Sequence, residues 1–192
     1  SSLQKFVIPP SLNSICDNAF NGCLSLMSII IPPNVISIGS AAFRKCILLR
    51  NISIPSSVKT IGTSAFEECA SLIQIIFDDN CIIESFKSNI FKRCLSLKNI
   101  NIPLSVKKIE SNAFEGCVSL ESLNIPSSVE SIESHAFQKC QYLEYINIPP
   151  SVESIGDSIL AECPSLARIS IPSSLQLSAN KLGINSQVQI IS

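Results

Sequence analysis

The stretch "IPSSVESIESHAFQKCQYLEYINIP", Ile125–Pro149, opens and closes on the same Ile-Pro pair. "IPLSVKKIESNAFEGCVSLESLNIP" runs into it from Ile102, and "IPPSVESIGDSILAECPSLARISIP" runs out of it to Pro172. One sentence is being rewritten with the same punctuation. Cysteines keep the count: Cys23, Cys46, Cys69, Cys94, Cys117, Cys140 and Cys163 are separated by 23, 23, 25, 23, 23 and 23 residues. Three residues after each stands a leucine, from Leu26 to Leu166. Six after each stands Ile or Leu, and eight after stands Ile or, once, Phe77. Three before each stands Phe20, Phe43, Phe66, Phe91, Phe114 or Phe137, with Leu160 in the last. The two extra residues fall in "FDDNCIIESF", where the Ile-Pro turn is lost and a loop is expected to bulge.

Each unit has two parts. L-x-x-I-x-I alternates inward and outward like a strand, and the proline after it cannot donate to a ladder. S-x-A-F-x-x-C puts Ala, Phe and Cys at i, i+1 and i+4, which predicts one or two helical turns against a core. S-V-x-x-I between them is a short extended piece. No single unit can bury its own apolar face, so the units must stack. The expected architecture is one α/β solenoid over residues 1–192 with 23-residue repeats and one 25-residue repeat around 70–94. About nine parallel strands would then give an uninterrupted sheet roughly 40 Å across.

L-x-x-I-x-I at this period matches the core of a leucine-rich repeat. The slot that commonly carries Asn or Cys holds Asn34, Ser57, Ser105, Ser128, Ser151 and Ser174 instead. The longer signature I-P-x-S-V-x-x-I-x-x-x-A-F-x-x-C-x-x-L-x-x-I resembles the BspA-like, Treponema pallidum-type leucine-rich repeat family over nearly the whole chain. That resemblance implies a parallel sheet on the concave face and short helical turns on the convex side. It also implies attachment of a cell-surface protein to host cells or matrix proteins.

Composition narrows the alternatives. Apolar residues make up 46% and charged residues 15%, an excess that suits an architecture with many inward slots. The longest apolar candidate, Leu24 to Ile38, is broken by Pro32 and Pro33, so direct membrane insertion of this segment is not expected. A formal charge of −1 gives no electrostatic reason to bind nucleic acid. Leu3, Phe6 and Ile8 fill strand slots of a first repeat. "LGINSQVQII" reads as a degenerate last one, with Leu182 in the Phe slot, Asn185 in the Cys slot, then Val188 and Ile191. Neither end reads as a polar cap, so the chain is expected to be a fragment of a longer protein.

The ladder cysteines read as small thiols filling a tight turn: parallel side chains are poorly oriented for bridging, and seven is an odd number. With no C-x-x-C, zinc is disfavoured. Cys16 and Cys81 stand outside the ladder and are the candidate exposed thiols. Free thiols favour a reducing compartment, whereas the resemblance favours the cell surface, so localisation is left open.

No catalytic constellation is present, and no cofactor is expected. His135, the single histidine, reads as solvent-facing, as do Glu110, Glu133 and Glu153. Binding has a defined place: positions four, five and seven after each cysteine face outward from the strands. In the central and C-terminal repeats these are Asn99, Asn101, Glu121, Asn124, Glu144, Tyr145, Asn147 and Arg168, a polar strip with two anchor types favoured at interface hot spots. Asn101, Asn124 and Asn147 could equally form a hydrogen-bonded ladder within the sheet. Exposed Ile30, Ile73 and Ile76 either extend the site or are ordinary surface. Asn51-Ile52-Ser53, the one glycosylation sequon, lies on the same face. The expected function is therefore non-enzymatic protein binding by an adhesin. The alternative is a structural or intracellular scaffold that self-associates or links proteins.

Overall fold

The structure is a computed structural model that describes residues 4–191, without the side chains of 176–179; Leu3 lies outside the described residues. The chain winds as a parallel-strand β-solenoid. Lys5–Val7, Ser28–Ile30, Asn51–Ile54 and Gln74–Phe77 form one four-stranded sheet on the concave face. Ser122–Asn124, Tyr145–Asn147, Arg168–Ser170 and Gln189–Ile191 form another. Isoleucines at the inward slots are buried, from Ile29 at 5% to Ile169 at 0% exposed, while their strand neighbours point to solvent. The S-V-x-x-I pieces pair as a second ladder of two-residue strands, each ending on a buried Ile or Phe.

The expected uninterrupted sheet is broken. Residues 98–103 form no strand, and the second ladder likewise stops at Thr60–Ile61 and restarts at Ser85–Phe86. Both interruptions fall at the 25-residue repeat. Besides its two extra residues, this repeat carries Phe77 and Phe86 in slots that hold isoleucine elsewhere. Their rings meet at 5.6 Å, and Phe86 also lies edge-on to Phe91 at 5.4 Å and to Phe114 at 5.9 Å. A close-packed core cannot absorb two larger side chains at one level without separating the rungs. The rungs part on both faces but stay joined at the turns, where Phe66 N–H donates to the Ile90 carbonyl at 3.0 Å.

Those turns are not the expected helical ones. S-x-A-F-x-x-C is a run of β-turns with two left-handed residues per repeat, such as Asn112 (φ 58°) with Gly116 (φ 70°), and His135 (φ 59°) with Lys139 (φ 63°). A helix would consume its N–H groups internally. Here alternate amides point along the solenoid instead: Asn112, Phe114 and Gly116 N–H donate to the carbonyls of Ser134, Ala136 and Gln138 at 3.0, 2.7 and 2.7 Å. Left-handed backbone costs a non-glycine residue roughly 1–2 kcal/mol, and the bonds between rungs offset it. The one helix among the described residues is a 3-10 stretch, Ser173–Lys181.

Two hydrogen-bonded side-chain ladders lock the stack. Thiols of Cys46, Cys69, Cys94, Cys117, Cys140 and Cys163 each donate to the phenylalanine carbonyl of the preceding repeat, at 3.0 to 3.4 Å. Ser57, Ser105, Ser128 and Ser151 hydroxyls donate at 2.8 Å to the backbone of the preceding repeat, and Asn34 does so with its amide. Serine thus does the work that asparagine does in the commoner repeat. Between these ladders run the phenylalanine rings from Phe20 to Phe137, successive centroids 5.3–5.8 Å apart.

The ladder cysteines are free thiols, buried except for half-buried Cys23. Cys16 is exposed, but Cys81 is buried, at 7%. Its N–H donates to the Asp78 carbonyl at 2.9 Å, a turn that folds the insertion back onto the core instead of letting it bulge. The last repeat also differs from expectation. Val188 keeps the leucine slot, yet Ile190 rather than Ile191 pairs with Ile169, so one residue is dropped, and both isoleucines of this last strand are exposed.

Candidate functional site

The outward slots of the C-terminal sheet converge by register. Ser122 pairs with Tyr145, Tyr145 with Arg168, and Arg168 with Gln189, which sets one column across four strands. A second column runs Asn124, Asn147, Ser170 and Ile191. Tyr145 is 38% exposed, so its ring lies partly against its neighbours and partly in water. Asn99, Asn101, Glu121, Asn124, Glu144 and Arg168 are exposed and Asn147 is half-buried.

The sequence-predicted residues are not all equivalent. Asn99 and Asn101 lie on the unpaired rung, while the remaining six sit on or beside paired strands. Glu121 faces Lys98 on the adjoining rung at 3.7 Å, both largely exposed, a contact worth little in water, and its N–H donates to the Lys98 carbonyl at 3.2 Å. Among the described residues, the side chains of Asn101, Asn124 and Asn147 form no hydrogen bond, so no amide ladder closes within the sheet and these groups face outward unpaired. Gln189 joins the first column. It was missed because the dropped residue moved it into register, a shift that slot-counting cannot see.

Elsewhere the polar residues turn structural. Glu110 and Glu133 are half-buried rather than solvated. The Glu110 carboxylate accepts from Ser85 Oγ, Lys87 Nζ, and both the amide and hydroxyl of Ser88, at 2.8–3.2 Å. Burial pushes its carboxyl up, and the bonds from Lys87, Ser85 and Ser88 outweigh that and hold it below the usual glutamate value. Glu133 accepts in the same way from Ser111. Where the equivalent slot is glycine, as at Gly62, a Cβ would sit 2.4 Å from the Ser40 amide. His135 is half-buried in a turn, with Nδ1 enclosed and unpartnered. Among the described residues no group of three or more His, Cys, Asp or Glu side chains is placed to hold a metal ion. No helix there is long and apolar enough to cross a membrane.

A parallel solenoid with this slot pattern can be compared with known proteins. The sequence profile of the BspA type leucine rich repeat region matches in 6 copies, over residues 1–119 and 82–188. The chain belongs to the BspA-type leucine-rich repeat family. A search of curated protein sequences finds no match. Among solved structures, a leucine-rich repeat protein from Bacteroides ovatus is 32% identical with a TM-score of 0.80, over 95% of this chain and 44% of that one. The T. pallidum leucine-rich repeat protein is 28% identical with a TM-score of 0.78, over 98% of this chain and 87% of that one. A leucine rich cell surface protein from Faecalibacterium prausnitzii is 26% identical with a TM-score of 0.58, over 98% of this chain and 60% of that one. This BspA-type chain therefore spans less than half of the B. ovatus protein. The fold is that of a protein–protein interaction module.

Proposed function

We propose that this BspA-type solenoid is the ligand-binding region of a non-enzymatic cell-surface adhesin, and that it holds a host or extracellular-matrix protein against its concave sheet. The observation that carries the reading is the column Tyr145–Arg168–Gln189, flanked by Asn124 and Asn147, whose side-chain amides form no hydrogen bond among the described residues. Aromatic and arginine side chains supply most of the energy at interfaces, and unpaired amides supply direction. Glu121, Glu144, Asn99 and Asn101 extend the strip toward the break. A shallow sheet face of this kind suits a macromolecule better than a small molecule, which prefers enclosure. The cell-surface description of the F. prausnitzii neighbour supports the location.

Two measurements test it. Antibody to the chain should label intact, unpermeabilised cells of the source organism. Beads coated with the protein should adhere to immobilised matrix proteins, and the double change Tyr145→Ala with Arg168→Ala should release them without lowering the melting temperature. Adhesion that survives this change but fails with Lys139→Ala and His135→Ala would move the site to the turn face.

A further inference from the structure

The two halves of the concave face carry different chemistry. On the four N-terminal rungs the outward slots expose Val7 (64%), Met27 (45%), Ile30 (60%), Ile73 (45%) and Ile76 (46%). Parallel pairing aligns Val7 with Ile30 and Ser53 with Ile76, so one apolar column follows position seven. Met27 and Ile73 stand in a second column at position four. Between the columns, position five carries the polar Lys5, Ser28, Asn51 and Gln74. The outward slots of these rungs hold two cations, Lys5 and Arg50, and no carboxylate. Asp78, just past the last of them, is tied to the Ser56 amide at 3.0 Å.

Resting on the reading that the concave face binds a protein, we propose that its N-terminal half docks one amphipathic helix of the partner, lying along the solenoid axis and carrying carboxylates. Spacing selects the helix. Positions four and seven are three residues apart, roughly 10 Å along a strand, which is about the diameter of an α-helix with its side chains. Rungs repeat at roughly 4.8 Å, so four of them match about ten helical residues with anchors three to four apart. Between the second and third rungs lies a notch of about 190 Å³ bordered by Ile30, Asn51, Ile52 and Ser53, room for one apolar anchor. Charge selects the sign: only carboxylates complement Lys5 and Arg50.

The probe is a synthetic helical peptide of about sixteen residues, long enough to hold its own turn, with leucines at i, i+4, i+7 and i+11 flanked by glutamates. A second peptide replaces every glutamate by lysine. The glutamate peptide should bind, and the lysine peptide at least about tenfold more weakly. Ile30→Asp should cost about tenfold or more in affinity for the glutamate peptide. Arg50→Glu, at an exposed site, leaves Lys5 balanced by one carboxylate and should abolish the charge preference, and so reports even if Ile30→Asp disturbs folding. No binding of either peptide, indifference to their charge, or insensitivity to both substitutions overturns the proposal. So does sedimentation showing a dimer that Ile30→Asp dissolves, since a second copy would then cover this face. Tyr145→Ala with Arg168→Ala should leave peptide binding unchanged. Peptide binding that fails while that double change still releases the beads sinks the helix site alone; the opposite pattern sinks the polar strip alone.

Discussion

The Cys117 thiol donates to the carbonyl of Phe91 at 3.2 Å, across 26 residues and one turn of the solenoid. The same carbonyl accepts the Cys94 N–H of its own turn at 3.0 Å. One oxygen thus closes a β-turn and ties it to the next repeat, which is why a small buried donor recurs in this slot. Cys117→Ala removes both the donor and the sulfur volume and should cost about 1–3 kcal/mol. Urea denaturation measures it, and an unchanged midpoint would mean that the thiol contributes neither bond nor packing.

Burial raises the Cys46 thiol to about 12 and the Cys163 thiol to about 11, and drives Cys69, Cys94, Cys117 and Cys140 upward as well. Unfolded thiols ionise near pH 8.5. Stability from these groups is therefore complete below that pH and lost as the pH climbs through the folded values, so alkaline unfolding should steepen above about pH 9. Replacing three ladder cysteines by alanine should lower overall stability but flatten this alkaline limb in a series of melts.

Reactivity should follow exposure. Ellman's reagent should take Cys16 first, then half-buried Cys23, and should leave Cys81 and the buried ladder untouched until the protein is denatured. Peptide mapping that finds Cys81 among the first residues modified would contradict its buried position.

Glu110 works in the opposite pH direction. Its folded carboxyl is held below the usual value by Lys87, Ser85 and Ser88, so its contribution is present above the unfolded pKa and lost as the pH falls through the folded one. Glu110→Gln should lower the melting temperature at neutral pH and converge with the parent in acid. Curves that stay parallel from pH 7 to pH 3 would show that the carboxylate charge is idle.

Phe114 is fully buried, its ring 5.3 Å from Phe91 and 5.6 Å from Phe137. Phe114→Ala should cost roughly 3–5 kcal/mol, and the cavity should loosen both neighbouring repeats. Hydrogen exchange would show protection lost on either side of the vacated ring, and a local, one-repeat effect would argue against a continuous stack.

The period, the inward slots and the parallel stacking were determined by the sequence alone. Each inward position meets the same environment in every turn, so the same residue types return at fixed spacing, and the free ladder thiols follow from that parallel geometry. Tertiary structure decided the rest. Left-handed backbone at His135 and Lys139 is imposed by amides reaching the next rung, on residue types that do not announce it. Glu110 and Glu133 became structural because serines of the preceding turn come within reach, a contact 22 to 25 residues away. The break in both ladders arises where Phe77 and Phe86 crowd one level of the core, and Cys81 is buried where the insertion folds back on itself. These outcomes depend on volume and reach between neighbouring turns, which a linear pattern of residue types does not encode.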